Sequence, residues 1–316
     1  MATIIAELCQ NHQGDRTLLK DMIQAAAASG ANYVKTQTIR AEFLTHRPRF
    51  DEGKIENGIT KVIKRPYISE YERLRLLDID MDDHRWFIDQ CHNAGVKAMT
   101  TVFTQGVIDE LETMDWDAIK VASYDCASFP LLIDLKSRFK KFFVSTGATF
   151  DEEVEKAAKI LQGTDITFLH CVTIYPTPLN LLDLSRINYL KKFSKKVGFS
   201  DHTLVSRDGI KAAAAAIYFG AEVVERHFTV LKADETKDGP VSITPKLLKE
   251  LVEVSRMTSE DLSAYIKENV PEYDLMLGNS QRKLSDEELL NRDYYRGRFA
   301  TKTKDGKTVY NWEDTF

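Results

Sequence analysis

GFSDHTLVSRDGIKAAAAAIYFGAEVVERHFT, residues 198–229, has a short strand-forming segment at each end and an Ala-rich helical run between them. Each end closes in a polar tip: Ser200, Asp201 and His202 on one, Arg226 and His227 on the other. This is a βαβ unit. Parallel strands joined by a crossover helix lie side by side with their C-terminal ends together, so His202 and His227 are expected at one mouth, within reach of one metal ion. A lone histidine after a strand is usually structural. Two on adjacent strand ends, set among Asp201, Thr203, Arg226 and Thr229 where a core would want apolar residues, point to a site. Imidazole nitrogen suits Mn, Fe, Co or Zn, and a site with two protein ligands leaves positions for water and substrate, as catalysis requires.

Outward from this unit the same alternation recurs. Strands are expected at 3–8, 32–37, 97–103, 118–122, 142–145, 166–170, 196–199 and 222–226, with helices at 16–29, 82–94, 105–113, 129–138, 151–161, 182–193 and 208–219. Eight strands in this pattern fit an α/β fold of the (β/α)8 TIM-barrel type better than an open doubly wound sheet, and no G-x-G-x-x-G follows the first strand. The polar stretch 39–81, with a short helix at 71–78, is long enough to be a functional loop. After Pro245 one long helix is expected to about residue 269, then a short helix from Ser285 and a tail whose Asp305-Gly306 marks a hairpin. Residues 1–270 are read as the catalytic barrel and 271–316 as a helical and hairpin extension. The tail is too short to fold alone and is expected to pack on the barrel or on another subunit.

The chain of 316 residues carries a net charge of −5, which argues against nucleic acid as a partner. No apolar run is long enough to span a bilayer, and the N-terminus lacks the basic start and apolar region of a signal peptide, so a cytoplasmic location is expected. The four cysteines, Cys9, Cys91, Cys126 and Cys171, form no C-x-x-C pair and read as buried thiols near strand ends. Nothing singles out a base for Cys171 as a nucleophile.

In a barrel of this kind the reacting groups lie at the C-terminal strand ends. Those ends carry Glu7, Asn11 and His12; Lys35 and Gln37; Thr101 and Phe103; Lys120, Ser123 and Asp125; Ser145, Thr146 and Gly147; His170, Thr173 and Tyr175; Ser200 and His202; Arg226 and His227. A lysine there can simply snorkel to solvent. Two lysines with Thr101, Ser123, Ser145 and the Gly147 backbone suit a small substrate bearing both a phosphate and a carboxylate.

The segments AELCQNHQGD, VKTQT, TTVF, IKVASYD, VSTGAT, LHCVTIYPTP, GFSDHT and VVERHFT, in this order, resemble the sialic acid synthase family over about 4–245. The resemblance implies condensation of phosphoenolpyruvate with an N-acetylmannosamine-like or related aldose, with C–O cleavage and phosphate release. By matching, His202 and His227 would hold a divalent ion, manganese or magnesium. Lys35, Thr101, Lys120, Ser123, Ser145 and Ser200 would bind phosphoenolpyruvate, Glu7 and Tyr175 would lie near the sugar, and Gln37 and Thr173 are further substrate-binding candidates. Lys120 and Asp125 join the two histidines as expected catalytic residues, and a homodimer is expected.

One departure, Asp125, bears on handling of the water proton, and the rest bear on the acceptor. Asp125 stands where the family has Glu, and Thr173 where it has Asn. Val241 follows Gly239-Pro240 where an acid is usual, with Asp234 and Asp238 as stand-ins. The chain carries only about 25 residues that match the start of the family's C-terminal antifreeze-like domain, whose arginine Arg296 or Arg298 could replace. The rival readings are a Schiff-base aldolase built on Lys120 and a sugar-binding regulatory relative without catalysis.

Overall fold

The computed structural model describes residues 1–313. Strands β1 (Thr3–Glu7) and β2 (Tyr33–Thr38) are followed by a hairpin, β3 (Lys54–Glu56) and β4 (Ile59–Val62). Then come β5 (Lys97–Val102), β6 (Ala118–Val121), β7 (Lys141–Ser145), β8 (Asp165–His170), β9 (Lys196–Asp201) and β10 (Val223–His227), and a final hairpin of β11 (Ala300–Lys302) and β12 (Thr308–Tyr310). Eight parallel strands close in the order β1, β10, β9, β8, β7, β6, β5, β2, and helices cover the outside. This is the (β/α)8 barrel expected from the alternation.

Strand parity divides the core in two. Ile4, Val34, Ala98, Ile119, Phe142, Phe168, Val197 and Val224 face outward into the helix layer. Their neighbours Ile5, Tyr33, Met99, Ala118, Phe143, Leu169 and Val223 pack on one another inside the barrel and plug its lower half. Gly198 takes the matching place on β9, where a Cβ would lie 2.4 Å from the Val223 carbonyl oxygen, so no side chain fits.

Several helices differ from the sequence expectation. The helix expected over 245–269 is two, Pro245–Ser255 and Ser259–Asn269, because Thr258 accepts from the Asp261 amide and caps a new start. The run 208–219 is broken at Gly209, which has φ 53°, into Val205–Asp208 and Lys211–Tyr218. Only Arg186–Leu190 of 182–193 is α-helical, after Asp183 at φ 47° turns to accept from the Asn279 amide. Gln105–Val107 is a 3-10 turn leading into Ile108–Leu111. In the 39–81 segment the helix is Tyr67–Arg75, and the unexpected β3–β4 hairpin turns on Asn57 and Gly58, both at positive φ as a type I′ turn demands.

The tail folds on its own barrel. Helix Asp286–Tyr295 begins with a capping box of Ser285 and Glu288, and the β11–β12 hairpin turns at Gly306, as the sequence signal indicated. Thr45 donates its amide to the Arg298 carbonyl at 2.9 Å, and Leu44 pairs with Phe299 in an isolated bridge. The arm from 298 onward thereby lies along the barrel mouth. Among the described residues no helix is long and apolar enough to cross a membrane.

Candidate active site

Two residues beyond each plug position, the inward column turns polar. Glu7 follows Ile5, Lys35 follows Tyr33, Thr101 follows Met99 and Lys120 follows Ala118. Ser145 follows Phe143, Cys171 follows Leu169, Ser200 follows Gly198 and Glu225 follows Val223. Strand register sets Glu7 beside Lys35, Thr101 beside Lys120 and Ser200 beside Glu225. The apolar plug supplies the floor and the next layer supplies the chemistry.

Lys35 and Lys120 converge on one carboxylate. Nζ of Lys35 lies 3.6 Å from Oε2 of Glu225, and Nζ of Lys120 lies 3.7 Å from Oε1. Ser200 donates to Glu225 at 2.9 Å, Lys35 donates to Thr101 Oγ1 at 2.9 Å and pairs with Glu7, and Lys120 donates to Ser145 Oγ at 2.7 Å. All of these side chains are buried. Burial, and then the nearby Lys120 charge, lower the Lys35 ammonium to about pH 7 against the pull of Glu225. For Glu225, burial is opposed by both lysines and by Ser200, and the carboxylate is held well below its ordinary value. The cluster of two lysines, two carboxylates and three hydroxyls is buried as a unit. It exposes its cations to any anion that can displace a carboxylate.

The other expected site residues divide around this centre. Ser123 Oγ accepts from the Gly147 amide at 3.2 Å and meets Cys171 Sγ at 3.0 Å. A Cβ at Gly147 would lie 2.6 Å from Cys171 Sγ, so only glycine leaves this amide free to point at the hydroxyl. Gln37 donates to Cys9 Sγ at 3.2 Å. Thr173 is buried with its Oγ1 unpartnered, while its carbonyl accepts from Asn291 at 2.8 Å. The half-exposed ring of Tyr175 stands 4.2 Å from that of His202, centroid to centroid. Asp125 accepts from Ser128 at 2.9 Å and Asn311 at 2.8 Å.

His202 and His227 come together as the βαβ reading required, with ring centroids 5.4 Å apart. Nδ1 of His202 faces the Val172 carbonyl at 3.2 Å, which leaves Nε2 as its free nitrogen. Nδ1 of His227 is buried without a partner. Burial lowers both imidazoles, with mutual repulsion adding to the effect at His202, so both rings are neutral, the state that ligates metal. The donor set fits a divalent cation.

One sequence reading is corrected here. Arg226 is not part of the site: it points outward, fully buried, paired with Asp201 and donating to Thr203 Oγ1 at 2.9 Å. Glu225 takes its place, and counting back by two from His227 would have found it, because alternate strand residues share a face. Of the two acidic stand-ins, Asp234 is exposed and Asp238 is half-buried at the mouth, 2.9 Å from Cys9 Sγ. Arg298 is buried against Glu70, and Arg296 lies over the Trp312 ring.

The comparisons with known proteins agree with this geometry. The NeuB family profile matches residues 22–267. An N,N'-diacetyllegionaminic acid synthase of Campylobacter jejuni is 32% identical, over 84% of this chain and 78% of that protein. A pseudaminic acid synthase of the same species is 29% identical over 95% of this chain and 81% of its own length. The crystal structure of the N-acetylneuraminic acid (sialic acid) synthetase of Leptospira borgpetersenii in complex with citrate superposes with a TM-score of 0.70 at 25% identity, covering 93% of this chain and 90% of that one. A profile match across most of the barrel, together with this identity, shows that the chain belongs to the NeuB family of sialic acid synthase-like enzymes.

Proposed function

We propose that the protein condenses phosphoenolpyruvate with an aldose, N-acetylmannosamine-like or related, to form a nonulosonic or other 3-deoxy-ulosonic acid, and that it needs a divalent metal to do so. The observation that carries this reading is the convergence of Lys35 and Lys120 on Glu225 beside Thr101, Ser145 and Ser200. A donor with phosphate and carboxylate groups takes over those cations and hydroxyls. Ser123 and the Gly147 amide extend the anion cradle. Glu7, Gln37, Thr173 and Tyr175 form the side on which the acceptor is placed.

In the reaction the enol carbon of the donor forms a bond to the aldehyde carbon of the sugar, water adds to the adjacent carbon, and phosphate leaves with its bridging oxygen. The two lysines hold the departing charge throughout, which is electrostatic stabilisation by buried, pre-positioned cations. Asp125 is read as the group that handles the water proton, and burial raises its carboxyl to about pH 6, within range of that task. His202 and His227 would hold a cation of the manganese or magnesium class. When bound, it supplies a Lewis acid to the acceptor carbonyl oxygen.

The barrel, 1–270, is read as the catalytic unit and 271–316 as an extension that trims its mouth, supported by the bonds of Asn291 to Thr173 and Asn311 to Asp125. A homodimer belongs to the same proposal and is checked by sedimentation. The decisive assay is phosphate release from phosphoenolpyruvate with a panel of aldoses, with and without EDTA. Metal-dependent release with at least one sugar is expected, with a product whose mass is that of the sugar plus phosphoenolpyruvate plus water minus the phosphate released. No release with any sugar would refute the reading.

A further inference from the structure

We infer that Cys9 and Asp238 are metal ligands alongside His227 and His202, so that the centre has a thiolate, imidazole and carboxylate donor set instead of two histidines alone. This rests on the metal requirement proposed above and goes beyond it. Sγ of Cys9, a carboxylate oxygen of Asp238 and a ring nitrogen of His227 all lie within 4.8 Å of one another. Cys9 and His227 are buried and Asp238 is half-buried, and Sγ of Cys9 is 2.9 Å from Oδ2 of Asp238.

Two groups that would both be anions cannot sit this close out of water unless a proton or a cation lies between them. A thiol to carboxylate hydrogen bond explains that contact alone. It does not explain the buried, partnerless Nδ1 of His227 beside it. Nor does it explain Cys9 at φ 48°, a left-handed conformation that disfavours any side chain.

The two loops that present Cys9 and Asp238 are tied together. Asn11 donates to Ser242 Oγ at 3.0 Å and to the Phe228 carbonyl at 2.9 Å, and its Oδ1 accepts from Thr236 at 2.7 Å. Ser242 in turn donates to the Asp238 carbonyl at 2.7 Å. At Gly239 a Cβ would fall 2.1 Å from the Ala233 carbonyl oxygen, so the turn after Asp238 closes on itself without room for a side chain. Asn11 is a positioning residue for both ligands. A thiolate in the set also moves metal preference away from magnesium, which takes hard oxygen ligands, toward manganese, iron, cobalt or zinc.

The test is titration of the metal-stripped full chain with cobalt(II), followed by absorbance. One ion is expected to bind with loss of the Cys9 thiol proton to solvent and the appearance of a near-ultraviolet thiolate-to-cobalt charge-transfer band. Cys9→Ser should abolish that band and weaken binding by about tenfold or more, and Asp238→Asn should weaken it comparably while the band persists. His227→Gln should impair binding on either reading. Visible ligand-field bands without a charge-transfer band in the unmutated chain would overturn the inference while leaving a two-histidine site standing. No cobalt binding at all would overturn both. The charge-transfer readout is made on the natural sequence, so it holds even if a variant misfolds.

Discussion

Nδ2 of Asn311 donates to Oδ1 of Asp125 at 2.8 Å, binding the C-terminal arm to the loop after β6 across 186 residues of chain. The same amide donates to the Phe103 carbonyl at 2.7 Å, so one side chain closes the arm over two strand ends. Burial raises Asp125 to about pH 6 from an ordinary 3.8, while Asn311, Ser128 and Arg296 pull the other way. The folded carboxyl therefore holds its proton where the unfolded one has lost it. Its contribution to stability is present below about pH 4 and is lost as pH rises through 6. Asp125→Asn is expected to raise stability near neutral pH by up to about 3 kcal/mol and to change little at about pH 4, while turnover falls. Urea unfolding at the two pH values, with a turnover assay, checks this; a variant less stable near neutrality would contradict it.

Glu225 is the counterion shared by Lys35 and Lys120. Glu225→Gln keeps the shape and the Ser200 contact but leaves two buried ammoniums facing each other with less compensation, a loss of about 3 kcal/mol. Phosphoenolpyruvate should restore more thermal stability to this variant than to the parent, because the ligand supplies the missing negative charge. Equal melting temperatures of variant and parent without ligand would refute the role.

Lys35 titrates near pH 7 because burial disfavours its charged form. Donor binding needs the ammonium, so KM for phosphoenolpyruvate is expected to rise as pH passes upward through 7. Turnover of the bound complex should stay flat, since the bound anion keeps the lysine protonated. Lys35→Arg, which cannot deprotonate in this range, should flatten the KM profile. A KM independent of pH in the parent would count against the assignment.

Nζ of Lys120 donates to Ser145 Oγ at 2.7 Å and to the Val121 carbonyl at 3.2 Å and faces the Glu225 carboxylate at 3.7 Å, so hydrogen bonds and a counterion hold the amine in place. An imine route requires a free amine lone pair. Borohydride added with substrate should leave the protein mass unchanged. A covalent adduct on Lys120 would revive the aldolase reading.

Arg298 on the arm is buried against Glu70, which also accepts from Arg73 at 2.9 Å. Burial works to raise Glu70, but Arg298 and Arg73 prevail and carry it down to about 2. The stability this pair contributes is present above about pH 4.5 and is lost as pH falls through 2. Glu70→Gln leaves the Arg298 guanidinium buried without its partner and is expected to cost about 3 kcal/mol near neutral pH, with the deficit shrinking in acid. The arm should also become more sensitive to limited proteolysis. Unchanged protease resistance together with unchanged stability would count against the clamp.

Local pattern was enough for the barrel and for most of the polar residues gathered at its C-terminal strand ends. Strand segments are short and β-branched, helices start at caps such as Asp15 and Asp80, and the eightfold alternation leaves few topologies open. Because C-terminal strand ends share one face of a barrel, Lys35, Thr101, Lys120, Ser145, Ser200, His202 and His227 could be grouped before any coordinates. What tertiary structure alone decided is which neighbours share a pocket. Parity about the closed barrel put Glu225 in and Arg226 out. Chain reversal brought Asn311 to Asp125 and Arg298 to Glu70, and two loops more than 200 residues apart set Cys9 against Asp238. Hydrophobic period and capping act over a few residues and are written in the sequence. Contacts between distant loops exist only after the barrel has closed, and no local preference encodes them.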